Sequence, residues 1–170
     1  PRRRGCDLPL AEARTRGRGH PPVSLAVGLG LVSEVDTGGI HDLDRLLAEM
    51  RPLLHAGRYA FTTLPPGRTI DPAQVVASIR ETEGLSVVLT EADALALDLP
   101  IAFLAAWITL EVHSDLAAVG LTAAFSQALA QAGIGCNVVA GTVHDHLFVP
   151  AERAADAMAV LQALQEDAAG

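Results

Sequence analysis

His113-Ser-Asp-Leu-Ala-Ala-Val-Gly-Leu-Thr-Ala-Ala-Phe-Ser126 is the stretch whose reading decides the fold. Residues 107–113, which lead into it, alternate as a strand does. The chain then turns at Ser114-Asp115, and a helix is expected from there to about Gln131. Serine and aspartate suit a helix start because their side-chain oxygens accept N–H bonds that the first turn leaves unmet. Leu121, Phe125 and Leu129 recur every four residues with Ala118 and Ala132 beside them, so one helical face is apolar. Gly133 stands where a left-handed C-terminal cap is expected.

Beyond that helix, residues 134–140 read as a second strand and Gly141-Thr142 as a turn. Residues 144–149 read as a third strand, and an amphipathic helix follows Pro150 to about residue 165. The order strand, helix, strand, strand, helix predicts a two-layer α+β sandwich, with both helices on one face of an antiparallel sheet. No strand follows the last helix. The fourth strand must come from elsewhere, and the surplus strand near Tyr59 is available, from this chain or another subunit.

Upstream, Leu43, Leu46, Leu47 and Met50 mark a helix face, with Asp42 as its cap and Pro52 as its stop. Residues 58–64 read as a strand ended by Pro65-Pro66-Gly67. Asp71-Pro72 is expected to open a short helix whose apolar face is Val75, Val76 and Ile79. A strand over 85–90 and a short helix over 91–97 follow. Residues 40–100 thus read as a smaller version of residues 101–170, a tandem repeat. Residues 1–39, rich in Arg, Gly and Pro, read as an extension without a packed core. A secretory leader is the lesser reading of the apolar stretch 23–35, because no small-residue cleavage pattern follows it.

Three segments carry a resemblance. Residues 108–124 (ITLEVHSDLAAVGLTAA), 134–141 (IGCNVVAG) and 144–150 (HDHLFVP) resemble the ACT domain, in particular a bacterial family of small proteins with two such units in tandem. The resemblance implies a ferredoxin-like fold, with tandem antiparallel sheets and helices on one face. It also implies a regulatory protein that binds an amino acid or similar small effector at an interface between units.

The candidate binding residues follow from the turn and from this resemblance. A helix N-terminus near Ser114, Asp115, Leu116, Val119, Gly120, Leu121 and Thr122 offers N–H groups and partial positive charge to a carboxylate. Gly120, lacking a Cβ, permits close approach. Asp115 is one candidate for the ammonium. The resemblance places Asn137 facing a ligand as the other, and an amide both donates and accepts. Each residue also has a plainer account, Asp115 as a cap and Asn137 as a strand-end residue.

His113, His144 and His146 fall on one face if the strands alternate regularly, and three imidazoles can hold zinc with an open position. Their spacing is no dedicated zinc pattern, and a polar sheet edge accounts for them as well. Cys136 alternates into an apolar set and reads as a small buried hydrophobe.

Composition narrows the classes. Half of the 170 residues are hydrophobic, enough for a core. No apolar run approaches the roughly 18 residues of a membrane span. The net charge of −8 is uneven: residues 1–40 hold six Arg against four acids, residues 41–170 six Arg against sixteen. An acidic globular part disfavours a nucleic-acid surface. Two cysteines in unlike contexts form no disulfide framework, which fits the cytoplasm. No phosphate loop, nucleophile elbow or paired carboxylates appear. The sequence therefore points to a binding module rather than an enzyme, with no cofactor expected, a small-molecule effector as partner and a homodimer to enclose it. A metal-dependent activity on the histidine face and a ligand-free assembly module are the alternatives.

Overall fold

The computed structural model describes residues 38–170. Expectations for residues 1–37 lie outside the described part. Among the described residues, seven strands form one antiparallel sheet: β1 (Pro52–Leu54), β2 (Tyr59–Leu64), β3 (Val75–Glu81), β4 (Gly84–Thr90), β5 (Phe103–Leu110), β6 (Asn137–Ala140) and β7 (Asp145–Pro150). The order across the sheet is β3-β4-β2-β5-β7-β6, and β1 also pairs with β5. Four helices among the described residues accompany it: α1 (Leu43–Glu49), α2 (Glu91–Ala96), α3 (Leu121–Gln131) and α4 (Ala154–Ala169).

Strand β5 explains the architecture. Its N-terminal half pairs with β2, Tyr59 opposite Ala105 and Phe61 opposite Phe103. Its C-terminal half pairs on the same side with β1, Pro52 opposite Leu110 and Leu54 opposite Ile108. On its other side lies β7. Two four-stranded sets therefore share this strand, β3-β4-β2-β5 and β6-β7-β5-β1. The strand missing after α4 is β1, which enters before the first set begins. Tyr59 belongs to the other set.

Residues opposite one another in an antiparallel pair share a face. Ala60 and Leu104 pair, which puts Ala60, Ala106, Ile108 and Leu110 on one side. All four helices cover that side. The larger core joins Ile108, Leu110, Leu147 and Val149 of the sheet to Leu46, Phe125, Leu129 and Leu161 of α1, α3 and α4. A smaller core joins Ala60, Leu64, Val87 and Leu89 to Ala94 and Leu99. The opposite face carries Tyr59, Ala105 and Phe148, with Trp107 packed against them.

Several expected elements differ. The strand expected over 107–113 is β5, four residues earlier at its start and ending before His113, and the strand expected over 134–140 begins only at Asn137. The helix after Asp71-Pro72 is only one 3₁₀ turn, Pro72–Gln74, and the Val-Val-Ala-Ser-Ile run continues as β3. β-Branched residues fit a pleated surface, and β4 supplies a partner. The central helix starts at Leu121, with Gly120 as its N-cap, not at Ser114-Asp115. Val112 and Ser114 are drawn instead into loop bonds, and Ile40 pins the loop by accepting from the Asp115 N–H at 3.2 Å and donating to the His113 carbonyl at 2.8 Å.

Candidate functional site

The loop between β5 and α3 and the turn between β6 and β7 enclose a cleft of about 80 Å³. Its lining includes Ser114, Asp115, Leu116, Leu121 and Thr122 on one wall and Gly141, His144 and Asp145 on the other. The two walls meet where the Ser114 N–H donates to the Val143 carbonyl at 3.2 Å. Gly141 tightens the hairpin turn: its N–H donates to the His144 carbonyl at 2.8 Å, and a Cβ there would lie 2.9 Å from that oxygen.

Helix α3 opens onto this cleft without a side-chain cap. Its first intrahelical bond runs from the Ala124 N–H to the Gly120 carbonyl, so the N–H groups of Leu121, Thr122 and Ala123 have no acceptor within the helix. That end carries partial positive charge. Asp115 caps its own turn, not the helix: Oδ1 accepts from the Ala117 N–H at 2.7 Å, and Oδ2 lies 3.7 Å from His41 Nε2.

Five of the eight candidate binding residues therefore line one cleft: Ser114, Asp115, Leu116, Leu121 and Thr122. Three do not. Val119 is 83% exposed. Gly120 has φ +109°, and its missing Cβ would meet Leu43 Cδ2 at 2.8 Å, so its smallness serves the turn and the packing of α1. Asn137 pairs with Phe148 on the sheet face away from the helices, at the far end of β6 from Ala140, which lines the cleft.

The three histidines go to three places. His113 lines an open groove with Arg51 and Glu111. His144 lines the cleft and its Nδ1 lies 3.1 Å from the Val112 carbonyl oxygen. His146 lies on the far sheet face, its Nδ1 2.9 Å from Thr109 Oγ1 and 3.2 Å from Trp107 Nε1. His55 joins it there, 2.8 Å from Thr109 Oγ1 and stacked on Trp107 at 3.6 Å. Burial, and then the neighbouring His144 and His55, push the His146 imidazole below its ordinary range. Among the described residues no group of three or more His, Cys, Asp or Glu side chains is placed to hold a metal ion. His144 leaves the expected alternation because β7 begins only at Asp145. Cys136 packs against the larger core, where burial pushes its thiol up to about 11.

Asp145, on the inward side of its strand by alternation, was not among the candidate binding residues. It pairs with Leu110, so it points to the helix side, and it lines the cleft. Burial pushes its carboxyl above the ordinary range, with His146 and His144 partly offsetting. The available signal was a charge at a strand position whose alternation with Leu147 and Val149 marks it as inward.

Comparison with known proteins agrees with this architecture. ACT-domain models match residues 38–106 and residues 104–163. The two matches overlap within β5, the shared strand. A Vibrio cholerae protein of unknown function, described as a possible transport protein, is 41% identical; the match covers 72% of this chain and 95% of that one, with a TM-score of 0.63. An Agrobacterium tumefaciens protein is 20% identical over 69% of this chain and 90% of its own, with a TM-score of 0.54. Aspartokinase alpha and beta subunits share the fold at 12% identity and a TM-score of 0.50, over 68% of this chain and 97% of theirs. Among curated proteins none matches. The chain belongs to the ACT-domain family, with two such domains in tandem. ACT domains are typically regulatory modules that bind small molecules, amino acids among them.

Proposed function

We propose that this protein is a regulatory module that senses an amino acid, held in the cleft at the start of α3 and enclosed by a second copy of the chain. The observation that carries the reading is the cleft itself. It sets the free N–H groups of an uncapped helix opposite a wall bearing Asp145 and His144. Those N–H groups suit the effector's carboxylate. At about 80 Å³ the cleft is well below the roughly 300–1,000 Å³ of an enclosing ligand pocket. Exposed apolar side chains sit on the segments that form it: Leu116, which lines it, at 67%, Val119 in the same loop at 83%, and Val143 in the hairpin turn at 43%. Exposed apolar side chains beside a polar floor fit a site closed by another protein surface. A symmetric pair would present the same patch from both sides.

The test is a thermal-shift screen of the twenty amino acids, with mass measured in solution with and without any hit. A ligand at a hundred times its Kd adds about 2.7 kcal/mol, which moves the melting temperature by roughly 5 °C or more. A specific shift for one or a few amino acids is expected. Flat melting curves with an unchanged dimer would instead favour an assembly module without ligand.

A further inference from the structure

The cleft wall carries a carboxylate to which no described group donates a hydrogen bond. Asp145 is only 9% exposed, yet no described donor hydrogen-bonds to its side chain. Its oxygens are not fully sealed from solvent, and the cleft they line is where that access lies; a largely buried carboxylate without protein donors is still costly to hold. The neighbouring inward positions of β7 are Leu147 and Val149, both fully buried, so an apolar residue at 145 would fit the strand pattern. The carboxylate faces the cleft, across from the first turn of α3. The other candidates for a cation are unsuited. Asp115 has both oxygens engaged, by the Ala117 N–H and by His41, and Asn137 is on the other face of the sheet.

We infer that Asp145 is the wall that reads the ligand's positive charge, taking the ammonium of a zwitterionic amino acid whose carboxylate lies against the first turn of α3. The inference rests on the effector-binding reading above and adds a specificity to it. A free ammonium is required, so a 2-hydroxy acid or an N-acetyl amino acid is rejected although its carboxylate is intact. In a cleft of this size the two charged ends of the backbone fill the polar floor, and the effector's side chain is directed towards the exposed apolar side chains.

The experiment compares the full-length wild type with Asp145→Asn, which keeps the shape and removes the charge. Each is melted with the twenty amino acids, with L-lactate as the hydroxy counterpart of L-alanine and the corresponding 2-hydroxy acid of any other hit. Methylammonium chloride is tested against sodium chloride at equal ionic strength. We expect the ligand-free variant to melt higher than wild type near neutral pH, because a largely buried charge without a protein donor has been removed. We also expect it to bind the amino-acid hit roughly tenfold or more weakly and to lose the methylammonium shift. The hydroxy acids should leave wild type unmoved. An amino-acid shift that persists in the variant, or a hydroxy acid that works as well, overturns the role of Asp145 and leaves the sensor reading intact. A methylammonium shift confined to wild type, with no amino-acid hit, supports the cation wall and overturns the amino-acid reading. Silence from both sets of probes overturns both. A variant that melts lower than wild type, or does not fold, shows that the carboxylate has a structural partner and ends the proposal.

Discussion

The two halves of the sheet are covered unequally. Over β5 and β7 lie three helices, of seven, eleven and sixteen residues, and their apolar faces meet in one core. Over β2 and β4 lies the six-residue α2. That short helix is fastened by polar contacts at its start. Arg58 donates from Nε and Nη2 to Glu91 at 2.8 Å each, and Asp93 accepts from Thr90 Oγ1 and Gln74 Nε2. Those hydrogen bonds hold the Asp93 carboxyl below its ordinary range. Apolar burial scales with covered area, whereas exposed ion pairs contribute little. The well-covered half is also the one that carries the cleft, which fits the need of a binding site for walls that do not move.

The largest expected effect tests that contrast directly. Leu129 in the covered half and Leu89 in the other are both fully buried. Leu129→Ala should cost about 4–5 kcal/mol in urea unfolding and Leu89→Ala about 2–3, because a thinly covered site collapses more easily around its cavity. Equal losses would break the comparison. Next comes Gly120→Ala, which forces a side chain into a left-handed φ and against Leu43. It should cost about 1–3 kcal/mol whether or not an effector is present. A near-native melting temperature would mean that α1 yields, and that the covered half is softer than its packing implies.

A smaller effect belongs to the far face. His146 has its pKa lowered by burial, so its unfolded form binds protons more readily. Stability is then fully present above the ordinary histidine range and is lost as pH falls through that range towards the lowered folded value. His55, lowered by burial with Glu111 opposing, adds in the same direction. His144 and Asp145 are the other charged groups acting on His146. Denaturation midpoints between pH 8 and 5 should decline, together with a change in emission from Trp107, the sole tryptophan. His146→Gln should flatten that decline. The smallest effect is Arg58→Ala, expected to cost no more than about 1 kcal/mol despite its two short bonds. A larger loss would mean that polar fastening carries the thin half after all.

Much of this arrangement was legible in the residues, for reasons that can be located. Helix α3 announced itself through Leu121, Phe125 and Leu129, all buried as the period demands. Asp42 and Thr90 cap their helices through local bonds to Arg45 and Asp93. What failed depended on distant partners. β1 is three residues long and begins at a proline, so nothing local marks it as a strand; only Ile108–Leu110 gives it a ladder. β3 was misread because Val75, Val76 and Ile79 satisfy a helical period as well as a strand, and β4 decides between them. Ser114-Asp115 has the chemistry of a helix cap, but Ile40 ties that segment into a loop. Asn137 was placed near the ligand by resemblance, although its own alternation, opposite to Cys136 and Val138, already set it on the far face.

Strand β5 has a consequence for how such a chain can be divided. Its eight residues serve as the closing strand of one set and the opening strand of the next, so there is no linker at which to cut. A fragment ending before Phe103 would leave Tyr59, Ala60 and Phe61 as an open edge, and one beginning there would lack β1. Hybrid proteins that exchange one domain for a relative's must therefore graft through a strand, matching two ladders at once. A change in the tilt of β5 at Leu110, which pairs with Asp145, would reach Phe103 along one strand without crossing a joint.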